Sequence, residues 1–301
     1  MNILIAGGTG FIGRSLARSL LADGHQVWAL GRHIPGSPLP QGIQFVKWDG
    51  RTASGWGGLI NEMDAVVNLA GKSTASWPWT KATKQAFWDS RVQAGGAVAE
   101  AIRAAERRPR VLVQSSGINH YGLRGESADE STPPGEDFLA RLAVAWEAST
   151  QPVEEMGVRR VVIRSAVVLG RDGGLLSLMA LPVRMFIGGP FGRGRQAIPW
   201  IHILDEVGAI RYLIEDENAR GAFNLIAPEP TTNAAFMRGL ARALKRPYWF
   251  STPAFLLRLV LGEMSVLILE GRFSRPRALT ELGYNFRFPG MREAFSDLFA
   301  R

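Results

Sequence analysis

The first thirteen residues constrain the fold of this chain more than any other stretch. Residues 2–6 form a short apolar run, and the segment Gly7-Gly8-Thr9-Gly10-Phe11-Ile12-Gly13 follows at once. From Ile12 onward, apolar residues recur at three- and four-residue spacing, which predicts a helix. A glycine-rich turn between a strand and a helix is typical of a site that binds the pyrophosphate of a dinucleotide. The alternative is a structural turn that binds no ligand.

Each glycine of this turn has a separate physical use. Gly7 allows the tight turn, Gly10 lets the backbone approach a phosphate, and Gly13 lets the helix lie close to the strand. The first turn of the helix then offers free N–H groups and a partial positive charge to the phosphates.

Further apolar runs predict the remaining strands of a sheet. They lie at residues 26–30, 44–48, 65–70, 111–116 and 160–169, with a short strand at 222–225. Helical or loop segments separate them, including predicted helices at 81–106 and 138–156. This alternation predicts an α/β fold of the Rossmann type, with a doubly wound parallel sheet. Later in the chain, we expect Asp205 to cap a helix that runs to about 215, and Thr231 or Thr232 to cap another.

Composition limits the classes of function. The chain has 301 residues and no cysteine, which excludes disulfides and thiolate chemistry and fits a reducing cytoplasm. Its formal net charge is +8, which indicates either a solvated basic surface or attraction for anionic ligands. The run Phe255–Leu269 is too short and too charged to span a bilayer, so we expect no membrane partner. We also expect no nucleic-acid partner and no metal site, whereas an oligomer is possible.

The end of the second strand predicts which dinucleotide is bound. Sites selective for NAD place an acidic residue there for the ribose 2′-hydroxyl, whereas NADP sites use arginine against the 2′-phosphate. This chain has Gly31-Arg32 and no nearby acid. Because an arginine–phosphate contact is strong and planar, we expect a preference for NADP(H). The alternative for Arg32 is an exposed loop residue.

The chain resembles the extended short-chain dehydrogenase/reductase superfamily. The matching motifs are the glycine turn, Asn68-Leu69-Ala70-Gly71, Ser115-Ser116 and Tyr121-Gly122. More narrowly, it resembles an atypical branch of epimerase-family, cell-division-inhibitor-like proteins. That resemblance rests on further motifs, which are Trp79-Thr80, Ser90-Arg91, Asp137-Phe138-Leu139, Trp146-Glu147, Val167-Val168-Leu169-Gly170, Gly188-Gly189-Pro190 to Gln196, Trp200-Ile201-His202, Ala227-Pro228 and Pro253 to Phe288.

The resemblance implies an NADP-binding Rossmann domain and a substrate lobe. The domain would cover residues 1–170, with elements to about 230. The lobe would cover 171–301 and include a smaller, mostly helical C-terminal region at about 250–298. The implied cofactor-binding residues are Gly7, Thr9, Gly10, Phe11, Ile12, Gly13, Gly31, Arg32, Leu69, Ala70, Arg91 and Val168.

The usual acid–base pair of the superfamily is missing. Typical members use Tyr-x-x-x-Lys, in which the lysine lowers the tyrosine pKa. None of the four tyrosines of this chain is followed by lysine at that spacing. Leu139 and Ala143 stand where the pair is expected, counting back from Glu147.

Substitute proton donors are therefore needed if the chain is a carbonyl reductase or epimerase. We rank Tyr121 and Ser116 first, and His120, His202 and Lys81 are weaker candidates. For each of these residues, a packed or solvated structural role is the alternative.

Two predictions about function follow. The first is an NADP(H)-dependent oxidoreductase or epimerase-like enzyme acting on an unknown small molecule. That substrate is possibly anionic, because Arg193 and Arg195 lie in a flexible glycine-rich loop. The second is a non-catalytic NADPH-binding sensor or regulatory protein.

Overall fold

The computed structural model describes residues 1–34, 36 and 38–300. In chain order the strands are β1 (Asn2–Ala6), β2 (Gln26–Gly31), β3 (Gln44–Lys47), β4 (Ala65–Asn68), β5 (Val111–Gly117), β6 (Arg159–Ser165), β7 (Val167–Gly170), β8 (Gly173–Gly174), β9 (Trp200–His202) and β10 (Gly221–Leu225). The helices are α1 (Phe11–Ala22), α2 (Lys81–Ala104), α3 (Phe138–Ala148), α4 (Leu176–Arg184), α5 (Ile203–Glu215), α6 (Asn233–Ala243), α7 (Ala254–Leu261), α8 (Val266–Leu269), α9 (Arg277–Glu281) and α10 (Met291–Phe299).

Seven of these strands form one parallel sheet in the order β10-β6-β5-β4-β1-β2-β3. The chain first winds from β1 outward to β3, then crosses back to β4 and winds the other way. The predicted doubly wound Rossmann fold is therefore confirmed. The strand order reverses between β1 and β4, which is where such sheets bind ligands.

Helices cover both faces of this sheet, and each interface is apolar. One core packs α1 and α5 against side chains such as Ile3, Ile5 and Val113. The other packs α2 against Leu4, Val66 and their neighbours. Strands that are buried on both faces read as continuous apolar runs, which is why the sequence predicted them well.

The predicted strand 160–169 is wrong in one respect, because the chain leaves the main sheet at Ala166. The N–H of Ala166 donates to Leu225 O, and the following residues form β7. β7 pairs with β8 and β9 in a separate three-stranded sheet. A continuous apolar run does not reveal a change of partner strand.

The predicted cap at Asp205 is also wrong. His202 is the N-cap residue of α5, and its ring accepts from Leu204 N at 3.2 Å. Asp205 lies in the first turn, where its carboxylate accepts from the N–H groups of Arg287 and Phe288 at 2.7 and 2.8 Å. Asp205 therefore fastens the C-terminal segment to α5.

Other helix boundaries follow local chemistry. Thr232 caps α6 through Ala235 N, as predicted. The predicted helix 138–156 ends at Ala148, and a single 3₁₀ segment with Pro152 in its first turn follows. The C-terminal third is mostly helical, and a third apolar core joins α4, α6 and α10. The division into two domains near residue 170 stays a prediction.

Candidate functional site

The glycine turn closes tightly against the end of β1. Gly7 has a φ of +78°, a conformation that favours glycine. Its N–H donates to Leu30 O, and its carbonyl accepts from Gly10 N at 3.0 Å. A Cβ on Gly13 would lie 2.5 Å from Gly7 O and 2.7 Å from Gly8 Cα. The turn therefore has no room for a side chain at position 13.

The first turn of α1 begins directly at this glycine loop. Gly10 is its N-cap residue, and no side chain accepts a hydrogen bond there. The first N–H groups of a helix lack partners inside the helix, so they can receive an anion. α1 has twelve residues, so its dipole adds to that attraction.

Phe11 and Val168 lie together at the other side of the turn. The Phe11 ring packs so closely on the β7–β8 hairpin that a Cβ on Gly170 would lie 2.5 Å from it. Val168 is buried in the same hairpin, where a Cβ built on Gly174 would lie 2.7 Å from the Val168 carbonyl oxygen. The structure thus brings the two predicted cofactor residues to one corner, although they are far apart in sequence.

Gly31 and Arg32 flank the turn at the end of β2. A Cβ on Gly31 would lie 2.7 Å from Thr9 Cγ2, so this glycine is required by close packing. Arg32 is exposed, and its side chain runs past Gly50. A Cβ built on Gly50 would lie 3.7 Å from Arg32 Cδ. The arginine side chain is therefore at the predicted ribose end of the crevice.

The acid after β3 is a turn former. Asp49 accepts hydrogen bonds from Arg51 N, Thr52 N and the Thr52 hydroxyl. These hydrogen bonds lower the pKa of Asp49 below its ordinary value. Its carboxylate oxygens are thus engaged within their own loop.

Arg91 supports the loop that follows β4. Its Nη1 donates to the carbonyl oxygens of Lys72 and Phe87, and its guanidinium stacks 4.8 Å from the Trp146 ring. Burial lowers its pKa to about 10. Leu69 and Ala70 of the same loop lie 3.0 Å from the place a Cβ on Gly7 would take. The predicted cofactor residues thus gather at one sheet edge, and their contacts with a cofactor stay predictions.

A buried polar network occupies the ends of β5, β6 and β10. Arg164 donates to both carboxylate oxygens of Glu147 at 2.9 Å. The Ser116 hydroxyl donates to Glu147 at 2.7 Å, and His120 Nδ1 lies 3.1 Å from the same oxygen, Oε1. Burial alone would raise the pKa of Glu147, but His120 and Arg164 outweigh it and lower the pKa to about 2.

Tyr121 belongs to the same network. Its hydroxyl donates to Asn224 Oδ1 at 2.7 Å and accepts from Arg164 Nη1 at 2.9 Å. The side chain is buried, which raises the pKa of its hydroxyl although Arg164 and Asn224 oppose the shift. The predicted donors Tyr121 and Ser116 thus direct their protons to Asn224 and Glu147. Their catalytic roles stay predictions.

The weaker candidate donors are spread over the molecule. His202 is buried at the start of α5, where burial lowers its pKa to about 4 although Asp297 opposes the shift. Lys81 is exposed at the first position of α2. Leu139 and Ala143, at the positions of the usual pair, are both buried in α3. Within the described ranges, no cluster of three or more His, Asp or Glu side chains is placed to hold a metal.

Sequence reasoning missed a second buried carboxylate near this edge. Glu206 on α5 is fully buried, and its Oε1 accepts from the Ser165 hydroxyl at 2.6 Å. Burial raises its pKa to about 8, so it is largely protonated at neutral pH. Glu206 follows Asp205 in a helix start, where an acid is ordinarily exposed, so no local signal indicated its burial.

The basic loop borders an open surface depression of about 510 Å³. Its lining residues are Pro190, Gly192, Arg193, Arg195 and Ser251. Both arginines are exposed, and neither forms a hydrogen bond or ion pair with the part of the chain that the structure describes. Two unpaired guanidinium groups on one depression are suited to an anion.

Comparison with known proteins assigns the family. The model of the NAD dependent epimerase/dehydratase family matches residues 3–225. The chain belongs to this family. A second model, described only as a domain of unknown function (DUF1731), matches residues 252–298. The resemblance to the extended short-chain dehydrogenase/reductases is therefore confirmed.

Individual relatives cover the whole chain. The epimerase family protein YfhF of Bacillus subtilis is 37% identical over 302 residues, which are 100% of this chain and 98% of that protein. Epimerase family protein SDR39U1 of Bos taurus is 38% identical over 307 residues and all of both chains. The crystal structure of human SDR39U1 (isoform 2) with NADPH matches with a TM-score of 0.90 and 35% identity, covering 99% of each chain.

Proposed function

We propose that this protein binds NADP(H) across the carboxyl edge of its parallel sheet and acts as an oxidoreductase or epimerase-like enzyme. The observation that carries the proposal is the glycine turn, which excludes a side chain at Gly13 and presents the start of α1. Family membership and the NADPH bound to human SDR39U1 support the same cofactor.

Arg32 is the residue that would make the site selective for NADP(H) over NAD(H). The side chain is exposed at the end of β2, and no hydrogen bond or ion pair holds it among the residues described. A free guanidinium at that place can take the 2′-phosphate with two parallel hydrogen bonds.

A comparison of thermal shifts tests this assignment. A ligand that binds only the folded state raises the melting temperature by mass action. We expect a larger shift with NADPH than with NADH, and Arg32→Asp should remove the difference. The control Arg103→Asp changes the same charge at an exposed site on α2, and it should keep the NADPH preference. Equal shifts for the two cofactors in the wild type would contradict the role of Arg32.

The substrate proposed is a small anion bound at Arg193 and Arg195. The support is that these two unpaired side chains line one open surface depression of about 510 Å³. Replacing both by alanine should weaken binding of anionic substrates, and the loss should shrink at high salt because salt screens exposed charges. An unchanged affinity would exclude the loop from substrate binding.

A second candidate is a non-catalytic NADPH sensor. The observation in its favour is that the hydroxyl protons of Tyr121 and Ser116 are both directed into the buried network. A panel of aldehydes, ketones and nucleotide sugars separates the candidates. NADPH oxidation with any of them favours the enzyme, whereas tight NADPH binding without turnover on all of them favours the sensor. A cytoplasmic location is part of either proposal.

A further inference from the structure

Two segments expose an unusual density of large apolar side chains. They are residues 178–187, at α4 and the turn after it, and residues 249–260, at α7 and the loop before it. Eleven large apolar residues here are exposed, namely Leu178, Leu181, Met185, Phe186, Ile187, Trp249, Phe250, Phe255, Leu256, Leu259 and Val260. α7 contains no buried residue at all. We refer to the two segments together as the α4/α7 surface.

The two segments lie against each other. Trp249 N donates to Gly188 O at 2.9 Å, and the Arg246 guanidinium lies 4.4 Å from the centroid of the Phe186 ring. Just beyond, Thr252 N donates to Pro190 O, and Thr252 O accepts from Gly192 N. The apolar side chains therefore belong to one surface, which continues toward the basic loop.

The segments that carry this surface are rich in basic residues, and the exposed Glu263 that follows α7 is paired with Lys84. Residues 173–204 and 230–262 contain no aspartate or glutamate. Besides Arg193 and Arg195 of the basic loop, they contain six basic residues, all exposed, which are Arg184, Arg238, Arg242, Lys245, Arg246 and Arg258. Contiguous exposed apolar area marks an interaction site, and this one attracts a partner that is both apolar and anionic.

A second copy of the chain fits this surface poorly. A twofold interface sets the same patch against itself, so the basic residues would face one another without any acid in these segments. A lipid surface fits better than a folded acidic protein because exposed apolar and basic side chains lie next to each other along these segments. Leu259, Phe255 and Phe250 are 80%, 71% and 69% exposed, and Arg258 lies between Phe255 and Leu259 on α7, a combination that suits the headgroup region.

We infer that the α4/α7 surface docks onto an anionic lipid bilayer. The apolar side chains enter the headgroup region, and the arginines contact lipid phosphates. No helix in the described part of the chain is both long and apolar enough to cross a membrane, and docking from one side requires none. The inference differs from the expectation from sequence that there is no membrane partner, and it is independent of cofactor binding.

Vesicle co-sedimentation tests the inference with the full chain. We expect the protein to bind vesicles containing about one third phosphatidylglycerol in phosphatidylcholine, and not vesicles of phosphatidylcholine alone. The variant Arg184→Gln/Arg246→Gln/Arg258→Gln should partition about 100-fold less, since each basic residue near the surface contributes about fivefold. Phe255→Ser/Leu259→Ser should lower partitioning at least about tenfold through lost apolar burial.

The matched control is Arg103→Gln/Arg110→Gln/Arg220→Gln. It removes the same charge from exposed sites away from the α4/α7 surface, so its partitioning should stay near that of the wild type. Circular dichroism and the NADPH thermal shift show that each variant is folded. An equal loss in the control, or no binding by the wild type, overturns the inference. So does a wild-type dimer that the α4/α7 variants convert to monomer without any vesicle binding, because the surface then takes a second copy.

Discussion

The two halves of the sheet's carboxyl edge differ in whether backbone or side chains form them. The half formed by β1, β2 and β4 is shaped by backbone, with glycines where a Cβ would collide. The half formed by β5, β6 and β10 is filled with polar side chains that bind one another. The first half leaves N–H groups at the start of α1 for a ligand, whereas the second directs its protons inward.

This difference shows why a cofactor is easier to infer here than a reaction. A pyrophosphate is held by turn geometry and a helix start, which a glycine spacing encodes locally. Proton transfer needs a group aimed at the reacting atom, and its aim depends on partners from other strands. The following variants test two expectations. The half formed by β5, β6 and β10, the polar half, should mainly stabilise the fold, and the half formed by β1, β2 and β4, the glycine half, should mainly bind the cofactor.

The largest expected effect is on stability, from Glu147→Gln. The change leaves the buried Arg164 guanidinium without its carboxylate, which should lower the free energy of unfolding by about 3–5 kcal/mol. The low pKa of Glu147 means that this stabilisation exists above pH about 4.5 and is lost as the pH falls toward about 2. Urea denaturation at neutral pH measures the difference.

Its control is Glu154→Gln, which breaks the pair with Arg160. Glu154 is 47% exposed, so the cost should stay below about 1 kcal/mol. Equal small losses for the two variants would show that the network is not a structural unit. NADPH affinity should change little in either variant, since neither residue lies at the glycine turn.

The next effect is on binding, from Gly13→Ala. The new methyl group would lie 2.5 Å from Gly7 O, so the turn must open. We expect NADPH affinity to fall about 100-fold or more, about 3 kcal/mol. Gly96→Ala in α2 is the control, because a Cβ there meets no atom within 4 Å, and alanine favours a helix. A folded Gly13→Ala protein with wild-type NADPH affinity would contradict the proposal that the glycine turn binds the cofactor.

The third effect distinguishes two ways of burying a carboxyl group. Glu147 is charged and paired, whereas Glu206 is held by burial and has a pKa of about 8. The pKa of Glu206 in the folded state lies above its value in the unfolded state. The contribution of Glu206 to the free energy of unfolding is therefore complete below pH about 4.5 and is lost as the pH rises through about 8. Between pH 6 and 8 the wild type should lose about 2 kcal/mol from this group.

Glu206→Gln should remove that part of the pH dependence, because the amide does not ionise. Glu215→Gln, exposed at the end of the same helix, should keep the wild-type profile. Parallel profiles for wild type and Glu206→Gln, measured by urea midpoints over this pH range, would mean that Glu206 does not titrate as its burial implies.

The sequence predicted those parts of the molecule that local chemistry determines. The individual strands, the glycine turn and the Thr232 cap each depend on residues close together in the chain. The family comparison confirms the fold and the resemblance. The boundaries at Ala166 and Asp205 were wrong because each depends on a distant partner, Leu225 in one case and the Arg287–Phe288 backbone in the other.

The same limit applied to the polar residues of the site. The Tyr121 hydroxyl finds its partners 43 and 103 residues away, at Arg164 and Asn224. The sequence shows Tyr121 beside Gly122 at a strand end, and it does not show what the hydroxyl binds. An arginine in an apolar strand, such as Arg164, was the available signal for a buried carboxylate partner.

The smallest expected effect on stability comes from Tyr121→Phe. This variant distinguishes a structural role of the polar half from a role in proton transfer. Loss of the hydroxyl leaves one hydrogen bond of Arg164 and one of Asn224 unmade, which should cost about 1 kcal/mol of stability. Tyr212→Phe, which loses one half-buried hydroxyl bond, to Leu282 O, is the control and should cost about 1 kcal/mol or less.

Turnover separates the two roles of Tyr121. Because its proton is directed to Asn224, we expect NADPH-dependent turnover on any substrate found to survive in Tyr121→Phe, as it should in Tyr212→Phe. Loss of a general acid lowers kcat about 100-fold or more. A fall of that size in Tyr121→Phe alone would restore the donor role predicted from sequence. It would also mean that the Asn224 contact opens when substrate binds, so that the two halves of the edge act together.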